Sequence, residues 1–354
     1  MSRGRLLVVG GGQSGLAAAR AGRDRSWEPV VIEAGAEPVG SWPRYYDSLR
    51  LFSPRRYSAL PGHPFPGDPD GYPGRDEVAD YLRGYAERLG VEVRTNARVV
   101  DVTADGPSFA VELADGSSLA GEAIIAASGS FSNPYTPTIP GREAFGGRVL
   151  HVADYRSPEE FAGQRVVVVG AGNSAVQVAH ELAGHARTSL AVRDRVRFAP
   201  QMIAGRDLHW WLRLTRADFL PPVVLSRLVT GTPVIGTDKY KRALEAGRPD
   251  QRPMFAAFSP DGVVWPDGSR EEVDSVVFAT GYRPHLTYLR SLGVLDEAGM
   301  PRHDRGVATA VPGLGFLGLE FQRSFSSNTL RGVHRDARHV VDALTRQPRG
   351  VAVA

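Results

Sequence analysis

The feature that most constrains this chain is a local grammar that it uses twice. Residues 5–33 read as a strand over 5–9, a glycine-rich turn, an alanine-rich helix over 13–24 and a second strand over 30–32. Residues 165–193 repeat the pattern, with a strand over 165–169, a glycine-containing turn, a helix over 173–182 and a strand over 189–192. An apolar run that ends in glycine and gives way to helical periodicity opens a βαβ unit. Two such openings, about 160 residues apart, predict an α/β chain with two Rossmann-like dinucleotide-binding domains. At 354 residues the chain is long enough for both.

The remaining segments fill in the layout. A proline-rich stretch over 53–73, a helix over 76–89 and short strands around 91–93, 99–102, 109–113 and 124–126 follow the first unit. An irregular, partly helical insertion at about 200–250 follows the second. The sequence then predicts a hairpin of 262–265 with 273–278, turned at Asp267-Gly268, and a terminal helix over 327–344. One domain is expected from both chain ends, 1–145 and 276–354, with the other, 146–275, inserted into it. Pro134, Pro137 and Pro140 crowd the first crossing.

Gly10, Gly12 and Gly15 form G-x-G-x-x-G at the strand–helix junction, with Gln13 and Ser14 opening the helix. The three glycines suit a tight turn, a backbone that a pyrophosphate can approach, and close helix–strand packing. A helix N-terminus adds free N–H groups for the phosphates. Glu33, 23 residues after Gly10, stands where a carboxylate accepts from ribose hydroxyls. A plain structural turn with a surface glutamate is the bland alternative, and it does not require all four parts together.

The second turn reads G-x-G-x-x-A through Gly170, Gly172 and Ala175, with Asn173 and Ser174 at the helix start. No acid closes its second strand; Arg193 stands there, followed by Arg195 and Arg197. A guanidinium there pairs with a 2′-phosphate, which a carboxylate would repel. NADPH is therefore expected rather than NADH, with Arg193 as the first choice for the phosphate. The alternative is a solvated arginine cluster.

Composition removes several classes of function. There are no cysteines, so disulfides, thiolate metal sites and dithiol relays are excluded. Net charge is only +3, from 42 basic against 39 acidic residues, and gives little support to nucleic-acid binding. No run of about 18 apolar residues predicts a membrane-spanning helix. The first apolar run passes straight into Gly10, unlike a signal peptide, and a cytoplasmic protein without membrane insertion is expected. The nine histidines show no H-E-x-x-H spacing, so no metal is expected, and no G-x-S-x-G element serves acyl chemistry. His209-Trp210-Trp211-Leu212 reads first as a core helix and second as a pocket wall; membrane-surface contact over 208–229 is a weak signal. Arg331, Arg335 and Arg338 read as a solvated face.

Beyond these features the chain resembles the class B flavin-dependent monooxygenases over most of its length. Phe145, Gly147, His151 and Tyr155 reproduce the family fingerprint F-x-G-x-x-x-H-x-x-x-[WYF] between the two glycine turns, and Tyr155-Arg156 is more similar to the N- and S-oxygenating branch than to the Baeyer–Villiger branch. Gly40-Ser41-Trp42 resembles the family's G-x-W near the flavin, and Ala279-Thr280-Gly281-Tyr282 its A-T-G-Y linker. Ala127-Ser128-Gly129 resembles the counterpart of that linker at the outward crossing. Residues 46–51, Leu60-Pro61 and Pro64-Phe65-Pro66 are most similar to auxin-type members and to small bacterial flavoproteins of arsenic- and metal-resistance operons.

The resemblance implies FAD at the first turn and NADPH at the second. The implied reaction passes reducing equivalents to the flavin. A C4a-(hydro)peroxyflavin then delivers one atom of O2 to a small soft nucleophile, such as a nitrogen or sulfur centre. It further implies that Phe316-Leu317-Gly318 and the start of the terminal helix face the flavin, and that a homodimer is a common state. Phe52 departs from the family by standing where many members carry an active-site Asn, so that role is not transferred. Phe52, Ser53 and His151 remain candidate catalytic positions, with His151 as readily a packing residue. Two rivals stay open: a cysteine-free NADPH-dependent flavoprotein reductase, and a non-catalytic NADPH-binding redox sensor.

Overall fold

A computed structural model of the chain describes residues 3–221, 223–224, 233–236 and 238–347, and two separate sheets dominate it. The first has seven strands in the order His303–Asp304, Val307–Ala308, Leu314–Phe316, Ala123–Ala126, Arg5–Val9, Glu28–Ile32, Glu92–Arg94. All its pairings are parallel except the two between 303 and 316. The second has five parallel strands: Asp250–Pro253, Arg187–Val192, Arg165–Val169, Ser275–Phe278 and Arg148–His151. The first sheet draws on both chain ends and the second lies wholly between them. The fold is thus mixed α/β with two Rossmann-type units, one set inside the other.

Each central strand divides its side chains between two cores, as the two-residue period of a strand requires. Leu6 and Val8 join one cluster with the helices Gln13–Arg23, Arg75–Leu89 and Val333–Arg346; Leu7 and Val9 join another with Val102, Phe109 and Val111. In the second sheet Val166 and Val168 face the helix Asn173–Leu182, whereas Val167 and Val169 face Phe255, Phe258 and Trp265. Burial on both faces is why these strands read as continuous valine runs and not as alternating patterns. Ala17, Ala18 and Ala19 are buried on the first helix, and their small side chains let it lie against both the sheet and the terminal helix.

Two expectations are corrected. Gly262–Val264 does not pair with the segment 273–278; its antiparallel partners are Ala257–Ser259 and, across the Asp267-Gly268 turn, Arg270–Glu272, and Ser275–Phe278 enters the parallel sheet between Arg165–Val169 and Arg148–His151. A short polar strand at 270–272 carries no apolar signal, while the apolar run after it belongs to a fully buried strand. The terminal helix starts at Val333, not Ser327. Ser327 Oγ accepts from the backbone N–H groups of Arg323 and Ser324, which holds the preceding residues in turns. Gly332 lies so close to Ser326 that a Cβ would fall 2.2 Å from its carbonyl oxygen. The insertion contains the helices Leu208–Leu214 and Asp238–Glu245; its residues 222, 225–232 and 237, and with them part of the 208–229 reading, lie outside the described residues. Among the described residues no helix is long and apolar enough to cross a membrane.

Candidate cofactor sites

The two glycine turns share one backbone geometry. Gly10 and Gly170 adopt φ +108° and +140°, which disfavour any residue with a Cβ. A Cβ at Gly10 would fall 2.4 Å from the carbonyl oxygen of Ala127, and one at Gly170 would fall 2.4 Å from that of Ala279. Each turn is therefore pressed against its own crossing segment, 127–129 or 279–282. The caps Gly12 and Gly172 are extended alike, at φ −76° and −89°. Gly15 is needed for packing: a Cβ there would meet the Gly10 carbonyl oxygen at 1.8 Å. Ala175 fills the corresponding place in the second turn and is fully buried.

A cleft of about 470 Å3 opens over the first turn. Gly10, Gly12, Gln13, Ser14 and Glu33 line it together with Gly40, Ser41, Trp42, Ser128, Gly129 and Gly318. Glu33 is buried; its Oε2 accepts from Gly11 N–H at 2.6 Å and its Oε1 from Gly35 N–H at 2.7 Å. A carboxylate has lone pairs left for further donors after two such bonds. Trp42 Nε1 donates to Gln13 Oε1 at 2.8 Å, so the loop bearing Trp42 is tied to the start of the first helix. Gly318 adopts φ +82°, and a Cβ there would strike Ser14 Oγ at 2.4 Å. Leu317 lies behind it, buried, with its N–H bonded to Ala126 O.

An aromatic file runs from this cleft toward the second unit. Trp42 packs on Tyr45 (5.5 Å between ring centroids), Tyr45 on Phe131 (4.5 Å), Phe131 on Tyr282 (5.2 Å) and Tyr282 on His151 (4.9 Å, edge-on). Burial raises the Tyr45 phenol to about 12, so this ring is neutral along the file. The crossings pair with one another beside it, through Tyr135 N–H to Gly281 O, Arg283 N–H to Asn133 O and His285 N–H to Gly129 O. Thr280 Oγ1 also donates to Tyr135 O.

At the second turn a Cβ on Gly172 would project into open space, so its backbone is accessible from outside. Asn173 Oδ1 accepts from Ile235 N–H, which pins the helix start to the insertion. Ser174 is half-buried beside it. Arg193 ends the neighbouring strand, exposed and without an ion-pair partner among the described residues.

Comparison with known proteins decides what this arrangement is. Residues 7–213 match the family described as pyridine nucleotide-disulphide oxidoreductase. The CzcO-like oxidoreductase of Geobacillus kaustophilus is 33% identical over 344 residues, covering 95% of this chain and 97% of that protein. Indole-3-pyruvate monooxygenase YUCCA1 of Oryza sativa is 31% identical over 323 residues, 82% of this chain and 79% of its own. A solved flavin-containing monooxygenase from Stenotrophomonas maltophilia superposes with a TM-score of 0.85 at 33% identity, covering 98% of this chain and 99% of its own. The chain belongs to the flavin-dependent monooxygenases. FAD and NADPH are the cofactors of this family, and the protein is an oxidoreductase.

The fingerprint of this flavin-dependent monooxygenase holds its two units together. Tyr155 is buried and its hydroxyl donates at 2.9 Å to Glu181 Oε2 on the helix Asn173–Leu182. Arg156 Nη1 donates to the carbonyls of Arg44 and Tyr45, and Arg156 O accepts from Asp47 N–H. Tyr46 OH, in the same loop, donates to Gln177 Oε1 at 2.5 Å. His151 is buried; its Nδ1 accepts from Ala153 N–H, and burial lowers its pKa, so it is neutral with the proton on Nε2.

None of the three candidate catalytic positions lines the first cleft. Ser53 is buried and bonded to Ser58 Oγ at 2.8 Å. Phe52 stacks on His209, and its carbonyl accepts from Gln201 Nε2. Sequence reasoning missed Arg44, Tyr45, Phe131, His285, Tyr288 and Asn328, which reach the cleft from loops and from the short 3-10 helices Trp42–Arg44 and Thr287–Leu292. Only the residues flanking Gly40-Ser41-Trp42 and Ala127-Ser128-Gly129 carried a signal, by adjacency.

Proposed function

We propose that this chain is an NADPH- and FAD-dependent monooxygenase that transfers one oxygen atom from O2 to a small soft nucleophile at nitrogen, sulfur or a similar centre. The observation that carries the reading is a pair of matching glycine turns in one cysteine-free chain, with an aromatic file running from the first cleft toward the second unit. Without cysteines no dithiol can pass electrons to a disulfide, so the disulphide chemistry in the family description does not transfer. The relatives named as monooxygenases support oxygen transfer instead.

In this reading residues 1–145 and 276–354 form the FAD unit and 146–275 the NADPH unit. The amides of the Gly10–Gly15 turn would hold the FAD pyrophosphate, Glu33 would accept from the ribose, and Gly40, Ser41, Trp42, Ser128, Gly129, Leu317 and Gly318 would shape the remaining cleft. Gly170, Gly172, Asn173, Ser174 and Ala175 would hold NADPH with the linker Ala279, Thr280, Gly281 and Tyr282, and Arg193 would take the 2′-phosphate. When bound, FAD supplies the oxygen-activating centre and NADPH the reducing equivalents. The chain's own part is to orient the two and to exclude water, which the packed rings of Tyr45, Phe131 and Tyr282 suit.

The test is NADPH consumption by the FAD-loaded protein in air, with and without a panel of amines, sulfides and keto acids, with H2O2 measured alongside. Substrate-dependent NADPH use with little H2O2 is expected. Rapid transfer to an artificial acceptor under nitrogen, with no oxygenated product from any substrate, would establish the reductase. NADPH binding without flavin bleaching would establish the sensor.

A further inference from the structure

A second cavity, of about 400 Å3, lies away from the cofactor turns, between the proline-rich loop, the insertion helix Leu208–Leu214 and the start of the terminal helix. Asn328 lines the first cleft and Arg331 this one, so the segment between them forms a common wall. Its charge is one-sided. Five arginines line it, Arg56, Arg213, Arg216, Arg331 and Arg335, against one carboxylate, Asp218. Asp218 is already spent on Arg331, which grips both its oxygens at 2.8 and 2.9 Å, and Arg56 pairs with Asp70 outside the cavity. Arg213, Arg216 and Arg335 have no carboxylate partner among the described residues.

Concentrated positive charge alone would be a solvated surface, but here buried polar groups also lack partners. Arg331 is 8% exposed at the side chain, and its Nη1 has no hydrogen-bond acceptor. His209 is 1% exposed; its Nδ1 is held by Asp207 Oδ1 at 2.8 Å, and its Nε2 has no partner. Asp207 is itself fixed by Tyr72 OH at 2.6 Å and Gln201 Nε2 at 2.5 Å, so the imidazole is locked in orientation. Phe52 and Tyr57 stack on that ring at 6.1 and 6.2 Å. A buried donor without an acceptor, as at Arg331 Nη1, is costly unless a ligand completes it.

We propose that this cavity binds a small organic carboxylate, with Arg213, Arg216, Arg331 and Arg335 facing the anion and Tyr57 and Phe219 against the apolar body. Arg335 lies over the Phe219 ring, an arrangement that presents cation and aromatic surface together. The inference is independent of the cofactor assignments, since none of these residues lines the first cleft.

Isothermal titration of the FAD-loaded protein with benzoate and, separately, with inorganic phosphate in chloride-poor buffer tests it. Saturable benzoate binding, tighter than phosphate, is expected. Arg213 and Arg216 are exposed, so their alanine variants keep the fold. Each should weaken benzoate about tenfold, the effect of losing one charge-assisted contact, with flavin content unchanged. No saturable benzoate binding, phosphate binding tighter than benzoate, or equal affinity in the Arg213→Ala/Arg216→Ala double variant would each overturn the proposal.

Discussion

A methyl group added at Gly12 would sit 3.4 Å from Gly40 Cα, an ordinary contact, and the φ of −76° there suits any residue. The protein therefore tolerates alanine at Gly12, whereas a pyrophosphate lying against that backbone would not. Gly12→Ala should fold with near-native thermal stability yet bind FAD at least tenfold more weakly, read as flavin-to-protein absorbance after gel filtration. Full flavin retention would remove FAD from this turn. Gly15→Ala differs, because its methyl would collide with the turn itself. Arg193→Ala removes one charge-assisted contact, roughly 1.5–3 kcal/mol. It should raise KM for NADPH about tenfold or more and leave KM for NADH nearly unchanged; equal effects on both would sink the 2′-phosphate role. The glycines and Glu33 were readable from the sequence because each answers a local backbone demand. Asn328 and Arg44 were not, since what brings them to the cleft is the tertiary path of their loops.

Among the elements, the parallel strands were legible from their valine runs, and the two strand–turn–helix openings from their glycines. The partner of Gly262–Val264 was not, because Arg-Glu-Glu at 270–272 has no apolar alternation to announce it. The late start of the terminal helix escaped for a related reason. Ser324, Ser326 and Ser327 bond among themselves and to nearby backbone, and that local alternative displaces the helix. The fingerprint segment gains a physical meaning at this scale: Arg156 holds the carbonyls of Arg44 and Tyr45 beside the first cleft, while Tyr155 holds the helix Asn173–Leu182. Arg156→Ala should leave flavin content intact but slow flavin bleaching by NADPH under nitrogen several-fold, measured by stopped flow. An unchanged rate would leave this segment as packing only.

For the molecule as a whole, histidine burial sets an acid limit. Seven of the nine histidines, His63, His151, His180, His209, His303, His334 and His339, have pKa values lowered from 6.5, burial being the largest cause in each; His334 falls to about 4. The unfolded chain takes up these protons below pH 6.5 while the folded chain refuses them. Stability should thus decline as pH drops from about 6.5 toward 4 and be insensitive to these groups above 7. Thermal unfolding at a series of pH values checks this, and a flat melting temperature between pH 7 and 5 would contradict it. The antiparallel strap between residues 129–135 and 281–285 has a consequence of another kind. Because the chain departs and comes home through neighbouring segments, the interior unit is a cassette with its two ends side by side. Exchanging it for the corresponding piece of a relative would leave the seven-stranded host with its strand order intact, while the seam and the outlying bonds from Arg156, Gln177, Gln201, Asp207 and Asp218 would have to be matched along with it.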